Sequence, residues 1–209
     1  MSLTLYVDRN RISPYAFSTF VCLSEKQISF TVQHVDLDAG AARQPPFSDL
    51  SLTQRVPAID HDGFVLTEST AIADYLDDVF TSPDSPGLLP RDARQRARAR
   101  QVQAWLRSDL LALRNERDST VVFYPPRADH APLSPPAQAA AAKLLHIAGE
   151  LLQSASLFET WSIADTDLAL MLLRLIKSGE PVPQRLRDYA AAQWQRPGVQ
   201  QWLASVPAA

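Results

Sequence analysis

The sequence predicts an α/β domain over residues 1–80, ordered βαβαββα, followed by an all-helical domain over residues 91–209. Three observations carry this expectation. Strand-like alternation is confined to the first third of the chain, and apolar residues at helical spacing fill the remainder. Between them lies Thr81-Ser82-Pro83-Asp84-Ser85-Pro86-Gly87, a turn-rich break that makes residues 81–90 the expected linker.

Leu3-Thr4-Leu5-Tyr6-Val7 alternates as a first strand and stops at the polar run Asp8-Arg9-Asn10-Arg11. Ser13-Pro14 then reads as an N-cap with a first-turn proline, ahead of a helix whose Phe17, Phe20, Val21 and Ser24 share a face and which ends near Gln27. Ser29 to Val35 alternates as a second strand, and Asp36 to Ser51 is a proline-containing loop with room for one short helix. Val56-Pro57 opens a β-branched run, Asp62-Gly63 offers a hairpin turn, and Phe64-Val65-Leu66 returns antiparallel. Pro57 cannot donate a ladder hydrogen bond, so Val56 is left as the last free backbone edge, and a cis Val56-Pro57 bond would turn that edge outward.

Glu68, Ser69 and Thr70 precede Ile72, Ala73, Leu76 and Val79, which recur at helical spacing and put Ser69 near a helix N-terminus. Two readings stand there: Ser69 as an N-cap beside a dipole-friendly Glu68, or free N–H groups that hold a carboxylate or phosphate. Ser13 has the same two readings, a cap or a hydroxyl held where a thiolate can sit. Cys22 lies well inside the first helix, away from the terminus that makes a thiol reactive, and reads as structural.

The helical part begins with a long segment from Arg91 to about Glu116, in which Val102, Trp105, Leu106, Leu110 and Leu113 share a face. Arg91, Arg94, Arg96, Arg98 and Arg100 fan around that helix instead of forming one stripe, which suits a solvated face. Val121 to Pro136 holds five prolines and is expected to be loop, with a helix from Pro136 to Gln153. Ser162-Ile163-Ala164-Asp165 has the spacing of a capping box before the apolar run Leu168 to Ile176, although Thr166 weakens a staple with Trp161. Gln184 to Gln195 and Val199 to Leu203 close the chain as helices, with Pro197-Gly198 expected to break them.

The 209 residues are enough to bury one large or two modest cores, and 16 prolines against 6 glycines suit helices separated by breaks. A net charge of −3 gives no reason to expect nucleic-acid binding. A single cysteine excludes an internal disulfide and a cysteine-rich metal site, and fits a reducing cytoplasm. No run approaches the roughly 18 apolar residues of a membrane span, and Met1 to Val7 lacks an export signal, so neither membrane nor secretion is expected.

Arg55-Val56-Pro57, then Gly63, then Glu68-Ser69-Thr70-Ala71-Ile72 resembles the glutathione site of cytosolic glutathione S-transferases. With Ser13-Pro14-Tyr15, the Arg94 to Leu110 segment and Trp161 to Leu170, the resemblance covers nearly the whole chain and is nearest to bacterial YfcF-type glutathione transferases. It implies a thioredoxin-like first domain that binds glutathione through Arg55, Val56, Pro57, Glu68 and Ser69. It also implies Ser13 as the catalytic residue, with Tyr6 and Tyr15 as alternatives, no metal, and a homodimer. Glutathione would be the co-substrate, and a small electrophile or a peroxide its partner in the reaction. Transferase chemistry is the expectation, with glutathione-dependent peroxidase or disulfide reductase on the same site as the alternative. A non-enzymatic interaction protein keeping this fold is a second alternative, and a glutaredoxin-type oxidoreductase lacks the cysteine it needs, since Ser13 stands there.

Overall fold

The computed structural model describes residues 2–81, 87–125, 127 and 129–207. Half of the expected linker, 82–86, lies outside the described residues. Two compact units are present: Met1–Leu88 together with Pro197–Pro207, and Leu89–Arg196.

The first unit follows the expected order: β1 (Leu3–Asp8), α1 (Pro14–Glu25), β2 (Thr31–Val35), a 3-10 turn at Ala41–Arg43, α2 (Phe47–Leu50), β3 (Ala58–His61), β4 (Phe64–Thr67) and α3 (Ser69–Val79). Its sheet runs β2-β1-β3-β4, with β1 parallel to β2 and the other two pairings antiparallel. Leu3, Leu5 and Val7 alternate into the core beneath α1, while Tyr6, Val35, Phe47, Val56 and Ala58 cluster on the opposite face under α2. The β3–β4 turn is the one foreseen: Asp62 and Gly63 both have positive φ, 51° and 89°, and the Asp60 carboxylate accepts the Gly63 N–H at 2.8 Å.

The two closing helices are separate as expected, but the break falls at 195–196 and the place of Pro197-Gly198 differs. Pro197 does not break a helix but begins one, α10 (Pro197–Ala204), because a first-turn proline forfeits no intrahelical hydrogen bond. Gly198 lets α10 approach α1 closely, since a Cβ there would lie 3.1 Å from the Cβ of Ser24 and 3.5 Å from the Cα of Val21. Trp202 is fully buried, its ring 6.0 Å from Phe17 and 5.3 Å from Phe20 in edge-on contact.

In the second unit, α4 (Ala93–Ser108) and α5 (Leu111–Glu116) replace the single helix expected to Glu116. Asp109 is the cause: its carboxylate accepts the Leu110 N–H at 2.8 Å and the Trp105 indole N–H at 3.1 Å, and Leu110 turns left-handed with φ 59°. The stretch expected to be all loop contains α6 (Thr120–Phe123), started by the Asp118 carboxylate on the Thr120 N–H at 2.8 Å. The prolines of that stretch all follow Phe123, so none of them obstructs the turn.

The remaining helices are α7 (Pro135–Leu151), α8 (Ile163–Lys177) and α9 (Gln184–Trp194). The capping box forms at the head of α8, which is buried from Ile163 to Leu175. In place of a hydrophobic staple, the Trp161 indole donates to the Thr166 hydroxyl at 3.3 Å. Asp165 also holds the preceding loop, accepting the Leu157 N–H at 2.7 Å and the Tyr189 hydroxyl at 3.0 Å.

Candidate functional site

Strand registers decide which predicted residues meet. Tyr6 of β1 pairs with Ala58 of β3, and Ala58 pairs with Thr67 of β4, so the end of β1, the start of β3 and the end of β4 form one edge of the sheet. Ser13 follows the first, Val56-Pro57 precedes the second, and Glu68-Ser69 follows the third. Residues far apart in the chain therefore gather at one rim.

The Ser13 corner is built by Asp8, the last residue of β1. Its carboxylate accepts the Ile12 N–H at 2.7 Å and the Ser13 N–H at 3.1 Å, and its carbonyl accepts the Arg11 N–H at 3.1 Å. Burial raises the Asp8 pKa above the ordinary carboxylate value, and the Ile12 and Ser13 N–H groups act in the opposite sense. The half-buried Ser13 caps α1, its hydroxyl oxygen accepting the Ala16 N–H at 3.2 Å. That bond uses a lone pair, so the O–H remains available to donate; among the described residues nothing accepts it. The two readings of Ser13 are thus compatible in one geometry.

Val56 is buried through its side chain and joined to Pro57 by a cis peptide bond. Among the described residues, nothing pairs with its backbone N–H or C=O, which leaves a short open edge for another extended chain. Arg55 is exposed, and its carbonyl accepts the Ser51 hydroxyl at 3.3 Å.

At α3 the cap position belongs to Glu68, not to Ser69. Glu68 has φ 70° and ψ 112°, and its exposed carboxylate makes no capping bond. Ser69 is the first helical residue and is buried to 5% exposure. A non-glycine residue held at positive φ beside a helix N-terminus is a strained arrangement of the kind that functional sites retain.

Tyr6 lies on the α2 side of the sheet, its ring 5.7 Å from Phe47. Its pKa is raised by burial and by the negative charge of Asp60, so it is a protonated phenol at neutral pH. Cys22 is fully buried within α1. Asp8 was not foreseen as part of the site; an acid five residues before a capping serine is its faint signal in the sequence. Among the described residues, no three His, Cys, Asp or Glu side chains gather as metal ligands would, and no helix is long and apolar enough to cross a membrane.

The rim therefore offers two helix N-termini, each favouring negative charge, on either side of an open backbone edge. A peptide-like ligand with a carboxylate at one end and a group that becomes anionic further along matches that pattern.

Comparison with known proteins agrees with this geometry. Residues 12–79 match the N-terminal domain of glutathione S-transferases and residues 92–208 match their C-terminal domain. A solved structure of a glutathione transferase homolog from Burkholderia gl BGR1, with bound glutathione, superposes with a TM-score of 0.81 at 42% identity, over 98% of this chain and 97% of that one. The chain is 32% identical over 97 residues to maleylacetoacetate isomerase of Dictyostelium discoideum, covering 46% of this chain and 43% of that protein. It is also 32% identical over 110 residues to human glutathione S-transferase theta-1, covering 53% and 44%. These matches span less than half the length of either curated relative. With both domain matches in place, together covering most of its length, the chain belongs to the glutathione S-transferase family.

Proposed function

We propose that this chain is a serine-type glutathione transferase, of the YfcF type, that activates the glutathione thiol for attack on a small electrophile. In this reading the first unit holds glutathione in extended form. Glu68 and Ser69 take the γ-glutamyl group, with the N-terminus of α3 favouring its carboxylate. The Val56 backbone, presented by Pro57, pairs with the cysteinyl residue, and exposed Arg55 supplies positive charge at the rim.

The sulfur then lies at the head of α1. A free thiol titrates at about 8.5, so the helix N-terminus and the Ser13 O–H increase the anionic fraction at neutral pH. Ser13 donates a hydrogen bond and takes no proton; the thiol proton leaves to solvent. The thiolate forms the new C–S bond, and the displaced group carries away the electron pair.

The observation that carries this reading is the unpaired Val56 backbone between two helix N-termini on one rim. The fully buried Cys22 argues against a protein thiol as the attacking group, so the nucleophile must arrive with the ligand. Attack by the same thiolate on a peroxide or a disulfide uses the same site and remains the alternative reaction. The family relation further supports a cytoplasmic role in detoxification.

Calorimetric titration with glutathione tests the proposal, because every enzymatic version needs binding. Glu68→Gln and Ser69→Ala should each weaken that binding far more than they lower the melting temperature. Wild-type affinity in both would dismiss the site, and no binding heat at millimolar glutathione would favour a non-enzymatic protein. A homodimer is also proposed; light scattering at micromolar concentration should return twice the chain mass, and a single-chain mass refutes it.

A further inference from the structure

Arg11 is the residue in the Ser13 corner whose conformation and contacts the proposed chemistry has not used. It sits two residues before Ser13 with φ 51°, a left-handed conformation that an arginine adopts only at a cost. The residue is almost wholly buried, at 7% exposure. The guanidinium lies 5.1 Å from the ring centre of Trp202 and 5.8 Å from that of Phe20, donates through Nη1 to the Ser205 hydroxyl at 2.7 Å, and through Nε to the His34 ring nitrogen at 3.3 Å. Ser205 is itself fixed, donating to the Trp202 carbonyl at 2.6 Å.

These contacts restrain a strained backbone from several directions. A cation stacked on indole and phenyl faces is attracted by both rings, and the planar fork fixes its orientation as a lysine ammonium does not. The same residue's N–H closes the turn onto the Asp8 carbonyl, which aims the next two N–H groups at the Asp8 carboxylate. A shift at Arg11 therefore moves Ser13 directly, along two peptide bonds.

We infer that Arg11, clamped by Trp202 of α10 and by Ser205 just after it, is a positioning residue that sets where the Ser13 hydroxyl points. This rests on the proposed role of Ser13 and assigns to the last eleven residues of the first unit, Pro197–Pro207, a part in catalysis exercised through Arg11. Arg11 does not touch the sulfur; it acts through the Ser13 backbone.

The test uses Arg11→Asn, which tolerates the left-handed conformation but lacks the fork, alongside Arg11→Lys, Ser205→Ala, Ser13→Ala and the Arg11→Asn/Ser13→Ala double variant. Arg11→Asn should lower kcat roughly 10-fold with the KM for glutathione nearly unchanged, since small misplacements of reacting groups act on the chemical step. The bound thiol should titrate at higher pH, seen as reduced thiolate absorbance in the complex. Arg11→Lys should recover only part of the loss, and Ser205→Ala should show a smaller loss in the same direction. The double variant should be no slower than Ser13→Ala, because both changes remove one effect.

If Arg11→Asn keeps the wild-type kcat and thiol titration and only melts earlier, or if its loss multiplies with that of Ser13→Ala, the positioning role is overturned while the proposed role of Ser13 stands. If Ser13→Ala itself keeps full turnover, the role of Ser13 fails, and the Arg11 inference fails with it. The two failures are thereby told apart.

Discussion

Ser13→Ala is expected to lower turnover by roughly 10²–10³, the usual effect of removing one preorganised donor to a developing or resident anion. The loss is smaller if the N–H groups at the head of α1 share the sulfur. Because Ser13 also caps α1 through the Ala16 N–H, the variant should lose about 1 kcal/mol of stability as well. Glutathione affinity should change little, since the proposed carboxylate and backbone subsites lie at the start of α3 and at Val56, just before β3. The bound thiol should titrate at higher pH, measured by thiolate absorbance. A variant with full turnover and unchanged absorbance that only melts earlier would reduce Ser13 to a cap.

Asp165→Ala carries the largest expected effect on stability. The carboxylate is completely buried and accepts the Ser162 N–H at 2.9 Å, the Ser162 hydroxyl at 3.1 Å, the Leu157 N–H at 2.7 Å and the Tyr189 hydroxyl at 3.0 Å. Each buried donor stranded without a partner costs about 1–3 kcal/mol, so a total on the order of 4 kcal/mol follows, near 10 °C in melting temperature for a chain of this size. Ser162→Ala should cost only about 1 kcal/mol, because it leaves Asp165 with its other donors. Equal losses in the two variants, by denaturant titration, would remove Asp165 from the centre of this network.

The pH dependence of the same group has a definite sign. Burial raises the Asp165 pKa in the folded protein, although the Leu157 and Ser162 N–H groups pull it down. The folded state therefore holds this proton more tightly than the unfolded chain does. Its contribution to stability is complete below the ordinary value of 3.8 and is lost as pH rises through the raised one. The deficit of Asp165→Ala should accordingly be greatest at the acid end and level off above that window.

Much of the fold was legible because it is written in short-range chemistry. Ser13-Pro14 specifies a helix start, Asp62-Gly63 a turn with two positive φ angles, and Ser162 with Asp165 a reciprocal cap, each closed by hydrogen bonds within a few residues. Local rules misled where a side chain took the backbone elsewhere. Asp109 captured the Leu110 N–H and split one amphipathic segment into α4 and α5, although the apolar spacing ran straight through. Ser69 looked like a cap, but Glu68 holds that position at φ 70°, an angle that residue type does not announce.

The sequence by itself determined the order of elements in the first unit, the polar character of the helix starts, and the free edge at Val56, since hydrogen-bond capacity and apolar period are properties of neighbouring residues. Only the tertiary structure decided that Asp8, Ser13, Val56 and Ser69 share one rim, because strand register is settled by burial across the sheet. It also decided that the chain's end returns to α1. Gly198 donates its N–H to Glu25, 173 positions earlier, and the fit depends on space that a Cβ would fill. Arg11 was likewise read as part of a polar loop, and its burial between Phe20 and Trp202 has no local cause. Close packing brings such partners together regardless of their separation in the chain, and no pattern of neighbouring residues encodes it.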